Sequence, residues 1–143
     1  MAKKKVFVSF DYENDKHYKF LLEAWDANSN FEFNFSDKTA HEINSDNVSR
    51  IKAGLTAKIN EATCVLVIIG REANKRHQDS VLIGDINWIN WEINKAKELE
   101  KGLVAVKIDK SYESPLAILN SNASWAMSFT QDAVIKALFN CKE

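Results

Sequence analysis

The sequence predicts an α/β fold, a mostly parallel five-stranded sheet with helices on both faces. Three observations predict it. Cys64–Ile69, CVLVII, is uniformly apolar and stops at Gly70, as a strand buried on both faces of a parallel sheet does. Four further short apolar runs alternate with segments of helical periodicity, in the order β-α-β-α-β-loop-α-β-α-β-α, and no repeat is visible. The chain has 143 residues, 45% of them hydrophobic. That size suits one domain over residues 1–143, burying roughly 70% of its unfolded surface without staples.

The elements follow in order. Val6–Phe10 is apolar, β-branched and aromatic without clean alternation, so it reads as a second strand buried on both faces. The polar loop Asp11–Asp15 leads into a helix whose stripe is Tyr18, Leu21, Leu22 and Trp25, ending at Asn28–Asn30. Phe31–Phe35, FEFNF, alternates strictly and reads as an edge strand. After the polar loop Ser36–Asn44, one of Ser45, Asp46 or Asn47 caps a helix with the stripe Val48, Ile51, Leu55 and Ile59.

Arg71–Asp85, with Arg71, Lys75, Arg76, His77 and the small apolar island Val81–Ile83, reads as a long loop with one helical turn somewhere in it. A helix from about Ile86 to Lys101 follows, with Gly102 as its C′ residue. Leu103–Ile108 is the fourth strand. Ser114-Pro115 starts a short helix to about Leu119. Ser124–Phe129 is the fifth strand, and Asp132 caps a last helix. Right-handed crossovers make the flavodoxin-like strand order 2-1-3-4-5, a three-layer sandwich, the simplest arrangement. Ligands of such sheets sit outside the carboxyl ends of the strands, at the switch point between strands one and three.

Composition excludes several classes. Lys and Arg number 19 against 20 Asp and Glu, a net charge of −1. No basic excess drives counterion release, so nucleic acid is not expected as a partner. No apolar run approaches the length that spans a bilayer, and MAKKKVFVSF lacks the apolar stretch of a signal peptide. The expected location is the cytoplasm, without a membrane partner. Cys64 and Cys141 form no spacing motif, which fits a reducing compartment.

Motifs exclude more. With four glycines and no G-x-G-x-x-G after the first strand, neither the dinucleotide fingerprint nor a P-loop is present. His17, His41 and His77 lie in different segments, so no metal site is expected. No G-x-S-x-G elbow exists. A receiver's phospho-acceptor Asp is missing after strand three, which ends Ile69-Gly70-Arg71. Asp11-Tyr12-Glu13 after strand one would repel a flavin phosphate. Acids at the active end remain, and Asn87–Lys97, NWINWEINKAK, sets Glu92 beside Trp88 and Trp91.

Val6-Phe7-Val8-Ser9-Phe10 followed by an acidic loop resembles the first box of TIR domains, roughly F-[IV]-S-[YF]. Trp88-Ile89-Asn90-Trp91-Glu92, after an apolar strand and a loop, resembles the W-x-x-x-E of the TIR segment that carries the catalytic glutamate. The subgroup most resembled is the stand-alone ThsB-type TIR proteins of Thoeris anti-phage systems. They share a K-x-V-F-x-S-F start and, after the motif, a Lys-rich helix and an apolar strand. Two features depart from the family pattern. Arg71–Asp85 is longer than its counterpart, and Asp11 stands where many members carry Arg or a neutral residue.

The resemblance implies that NAD+ is a substrate, cleaved at the nicotinamide–ribose bond, with no separate cofactor. Glu92 matches the catalytic position, and Phe10, Asp11, Ser36, Asp37 and Trp88 match the pocket. The implied product is an ADP-ribose signal, cyclic or conjugated, for an effector protein. A phage-derived trigger and assembly into a homo-oligomer are implied as well. One carboxylate suits the chemistry, because the bond breaks through an oxocarbenium-like state and nicotinamide leaves without help from a second acid.

Each candidate also has a plainer role. Trp88, Trp91 and Phe10 can be packing, Glu92 a first-turn helix acid favoured by the dipole, and Asp11 a loop acid. Ser36 and Asp37 can form an Asx-type turn. Arg71, Lys75 and Arg76 either reach a pyrophosphate or are solvated. A non-catalytic interaction module and a nucleotide sensor without turnover are the rival functions.

Overall fold

The computed structural model describes residues 4–26, 33–35 and 47–141. Its strands are β1 (Lys4–Ser9), β2 (Phe33–Phe35), β3 (Cys64–Ile69), β4 (Gly102–Lys107) and β5 (Ser124–Ala126). Its helices are α1 (Tyr12–Asp26), α2 (Val48–Glu61), α3 (Ser80–Ile83), α4 (Trp88–Glu98) and α5 (Gln131–Phe139), with a 3-10 turn at Leu116–Ile118. The strands form one sheet in the order β2-β1-β3-β4-β5. Every pair is parallel, and Val6 faces Cys64 while Cys64 faces Gly102 in register. The α/β class with a parallel sheet stands.

Side chains of a strand alternate between faces, and that alternation splits the core in two. Phe7, Val65, Val67, Ile69, Leu103 and Ala105 meet the stripes of α2 and α4 on one face. Val6, Val8, Leu66, Ile68, Val104 and Val106 meet α1 and α5 on the other. All six residues of β3 are buried, and each such aliphatic side chain contributes about 2 kcal/mol of transfer free energy.

Several local expectations change. In α1 the buried residues are Asp15, Lys19 and Leu22, whereas Leu21 of the expected stripe is 44% exposed. Lys19 holds Glu23 in a 2.7 Å ion pair. A helix rotated to bury two charged residues is poorly legible from apolar periodicity alone. Asn47 is the N-cap of α2, its side chain accepting from the Arg50 N–H. Thr130, not Asp132, caps α5.

The segment after Pro115 is a 3-10 turn. The C′ position of α4 is Glu100, at φ 59, rather than Gly102, which already belongs to β4. The Lys101 N–H bonds Ala96 O at 2.8 Å and the Glu100 N–H bonds Lys97 O at 3.1 Å, a Schellman closure around a left-handed glutamate. Among the described residues no helix is long and apolar enough to cross a membrane.

Candidate active site

The carboxyl ends of β1 and β3 lie side by side, Ser9 opposite Val67. Helix α4 brings Glu92 to this end. Asn87 starts the helix, its side-chain oxygen accepting from the Asn90 N–H at 2.9 Å. Glu92 is the fifth residue of α4 and so lies in its second turn, not its first. Its side chain is 3% exposed, on the sheet-facing side with Ile89, Ile93 and Ala96. The Ser9 hydroxyl donates to Glu92 Oε1 at 2.6 Å. Among the described residues no cation pairs with the carboxyl, and burial pushes its pKa from 4.5 up to about 8, against the opposing effect of the Ser9 hydrogen bond. At neutral pH this acid holds its proton.

The tryptophans divide. Trp91 is core, 8% exposed, with Lys95 Nζ 5.6 Å from its ring centroid. Trp88, at the first position of α4, is half-buried and meets Trp91 edge to face at 5.7 Å. Phe10 joins the core on the α1/α5 face, its ring 6.2 Å from that of Tyr12. Glu92 and the tryptophans lie on the opposite, α4 face, so Phe10 and Trp88 are not brought together.

Asp11 works at the start of α1. Its Oδ1 accepts from the Glu13 N–H at 3.1 Å and its Oδ2 from Asn14 Nδ2 at 2.6 Å. Ser36 and Asp37 lie outside the described residues. Among the described residues no group of three or more His, Cys, Asp or Glu is placed to hold a metal ion.

The segment from Arg71 to Asp85 is tied down. Asn87 Nδ2 donates to Ala73 O and to Lys75 O, both at 2.9 Å. The His77 N–H bonds Ile86 O at 2.6 Å, and Ala73 and Ile83 are buried in the core. Asn90 extends the brace, donating to Asn74 Oδ1 at 3.2 Å and accepting from the Ala117 N–H at 2.9 Å. Of the basic residues, Lys75 pairs with Glu72 at 3.4 Å, and Arg76 donates to Ser80 Oγ at 3.3 Å.

Sequence reasoning missed Ser9, Asp15, Asn87 and Asn90. Asn87 carried a signal, an asparagine just before a helical stripe. Ser9 carried its place at the end of an apolar run and in the box that resembles TIR domains, but nothing that pointed to Glu92 as its partner. Asp15 carried none, because its burial depends on Gly70, 55 positions away by the numbering.

Structural likeness shows the fold. A 2-deoxyribosyltransferase from Leishmania mexicana shares 9% identity at a TM-score of 0.58, covering 96% of this chain and 97% of that one. A prokaryotic SEFIR domain shares 16% identity at a TM-score of 0.56, covering 96% and 89%. A 2-deoxyribosyltransferase from Bacillus psychrosaccharolyticus shares 13% at 0.55, covering 87% of each chain. No curated protein sequence matches the chain. The family model for the TIR-like domain of the Thoeris protein ThsB matches residues 7–113, a span from β1 through α4 and β4 that includes Ser9 and Glu92. With most of its length matched, the chain belongs to the ThsB TIR-like domain family of Thoeris proteins.

Proposed function

We propose that the chain cleaves NAD+ at the nicotinamide–ribose bond, with Glu92 as the catalytic carboxylate. The ADP-ribose product, cyclised or conjugated, would signal to an effector in anti-phage defence. The observation that carries this reading is a glutamic acid buried, with no cation beside it among the described residues, at the carboxyl end of a parallel sheet. Burying such a group costs stability that a purely structural position would avoid with an apolar residue.

The resting acid is neutral. A nicotinamide ring carries a positive charge on the nitrogen bonded to ribose, and its arrival beside Glu92 lowers the pKa and favours the carboxylate. The bond from ribose C1′ to that nitrogen then breaks, and its electron pair neutralises the ring. Positive charge passes to the sugar, where the Glu92 carboxylate stabilises it in a dry setting. Water or a hydroxyl takes C1′ and gives its proton to Glu92, which returns to its resting form. Trp88 supplies the flanking aromatic face; Phe10 packs in the core on the other face of the sheet, and Asp11, Ser36 and Asp37 are proposed for the pocket from the family resemblance alone.

Family membership supports the reading. So does the likeness to proteins named as 2-deoxyribosyltransferases, one of them described as a biocatalyst for nucleoside synthesis. Making a nucleoside and cleaving NAD+ both exchange the partner of a sugar's anomeric carbon. The test is nicotinamide release from NAD+, with Glu92→Gln expected to lose at least 100-fold. A wild type that stays silent when oligomerised and when exposed to phage lysate would overturn it.

A second reading, a non-catalytic interaction module, is favoured by a different observation. Val81 and Leu82 on α3 are 92% and 65% exposed, while Glu92 is closed off. It predicts that Glu92→Gln leaves defence intact and that Val81→Asp with Leu82→Asp abolishes it.

A further inference from the structure

A second buried acid lies at the same end of the sheet and takes no part in the mechanism above. Asp15, in the first turn of α1, is 6% exposed. Its Oδ2 is fully buried and has no hydrogen-bond partner among the described residues. The carboxyl occupies the space beside Gly70, immediately after β3. A Cβ built on Gly70 would overlap the whole group and lie 2.6 Å from Oδ1. The absence of a side chain at position 70 is what admits the acid.

The surroundings define what this carboxyl can accept. Asp11 and Glu72 act on Asp15 as like charges, and Arg71 and His17 oppose them only in part. Burial is the largest cause holding the Asp15 pKa up at about 6. An anion is disfavoured here, while a neutral hydrogen-bond donor suits the carboxyl. Asn14 braces the corner by donating to Asp11 Oδ2 at 2.6 Å and to Glu72 Oε2 at 3.3 Å.

Asp15 approaches the ends of β1 and β3 on α1, and Glu92 approaches them on α4, from the other face of the sheet. We propose that Asp15 is a binding residue for the nucleotide, its carboxyl accepting a hydrogen bond from a ribose hydroxyl through Oδ1 while Oδ2 stays shut against Gly70. This rests on the NAD+ reading for the identity of the ligand, but not on turnover. A nucleotide laid across the ends of β1 and β3 meets one acid from each face, Glu92 at the reacting bond and Asp15 at a sugar hydroxyl.

The experiment separates binding from cleavage. Dissociation constants of ADP-ribose are measured by calorimetry for wild type, Asp15→Asn and Asp15→Ala, with melting temperatures recorded for each. Wild type is expected to bind. Both Asp15 variants are expected to bind at least tenfold more weakly while melting no lower than wild type, because they remove an unpaired buried charge. Unchanged affinity in both Asp15 variants overturns the proposal, as does a large loss of melting temperature without a loss of affinity. Wild type binding ADP-ribose through Asp15 while releasing no nicotinamide from NAD+ sinks the catalytic reading and leaves this one standing. Wild type failing to bind ADP-ribose at all overturns the Asp15 assignment, whether or not NAD+ is cleaved.

Discussion

The Ser9 hydroxyl donates a 2.6 Å hydrogen bond to Glu92 Oε1 across 83 positions of sequence. It joins the last residue of β1 to the second turn of α4 and is the one interaction that favours the ionised form of the acid.

Ser9→Ala removes that counterweight. The pKa of Glu92 moves further up, so less carboxylate is available at neutral pH. Wild-type kcat/KM for NAD+ is expected to rise with pH to a midpoint near 8. The Ser9→Ala profile should shift to higher pH, with activity at pH 7 lower by roughly 3- to 10-fold. The lost buried bond should also cost about 1–2 kcal/mol in chemical denaturation. Superimposable pH profiles would show that Glu92 does not set the rate.

Glu92 also sets a pH dependence of stability. Its pKa is raised to about 8 in the folded chain from an ordinary 4.5. Between those values the folded state binds more protons than the unfolded one, so stability is full below about pH 4.5 and is lost as pH rises through 8. Asp15, raised to about 6 from 3.8, acts with the same sign over a narrower window. Glu92→Gln has no proton to lose at this site. Its melting temperature relative to wild type should therefore climb from pH 5 to pH 8.5, by on the order of 5–10 °C. Parallel melting curves for the two proteins would contradict a buried, protonated Glu92.

Gly70→Ala forces Asp15 out of its place, since the new methyl would overlap the carboxyl. ADP-ribose affinity should fall as far as in Asp15→Ala, with Glu92 and Ser9 untouched. Retained affinity would show that the packing of Asp15 against Gly70 is not what presents the acid.

Asn87→Ala removes the cap of α4 and both bonds to the carbonyls of Ala73 and Lys75. The expected cost is about 2–3 kcal/mol, from a lost N-cap and one buried and one part-buried carbonyl left without this donor. Limited proteolysis should then cut between Arg71 and Asp79, where wild type resists. An unchanged digestion pattern would mean that other contacts hold this segment.

Glu100→Gly relieves a left-handed residue at the end of α4, where φ is 59. The Schellman closure tolerates glycine without strain, so denaturant midpoints should rise by about 0.5–1 kcal/mol of stability. A destabilised variant would point to a compensating contact of the Glu100 side chain.

Legibility followed the range of the interactions. The strand Cys64–Ile69 was evident because burial on both faces makes every residue apolar. Phe33 and Phe35 of the alternating FEFNF run are both buried, as one face of a strand requires. The cap of α2 was narrowed to three residues, since capping is local chemistry. The buried face of α1 was misread, because Asp15 and Lys19 are held there by partners and close fits that periodicity does not register.

By itself the sequence determined the α/β class, the alternation of its elements and the segment that carries Glu92. These follow from patterns repeated every two or three to four residues, which local chain geometry imposes. Tertiary structure alone decided that Glu92 is buried against Ser9, that Asp15 fills the space beside Gly70, and that Asn87 ties down the segment after β3. Each of those facts joins residues distant in sequence whose meeting depends on strand register and helix rotation. Desolvation and hydrogen bonding act on whatever is near in space, so the protonation of the two acids was settled only when the chain had folded around them.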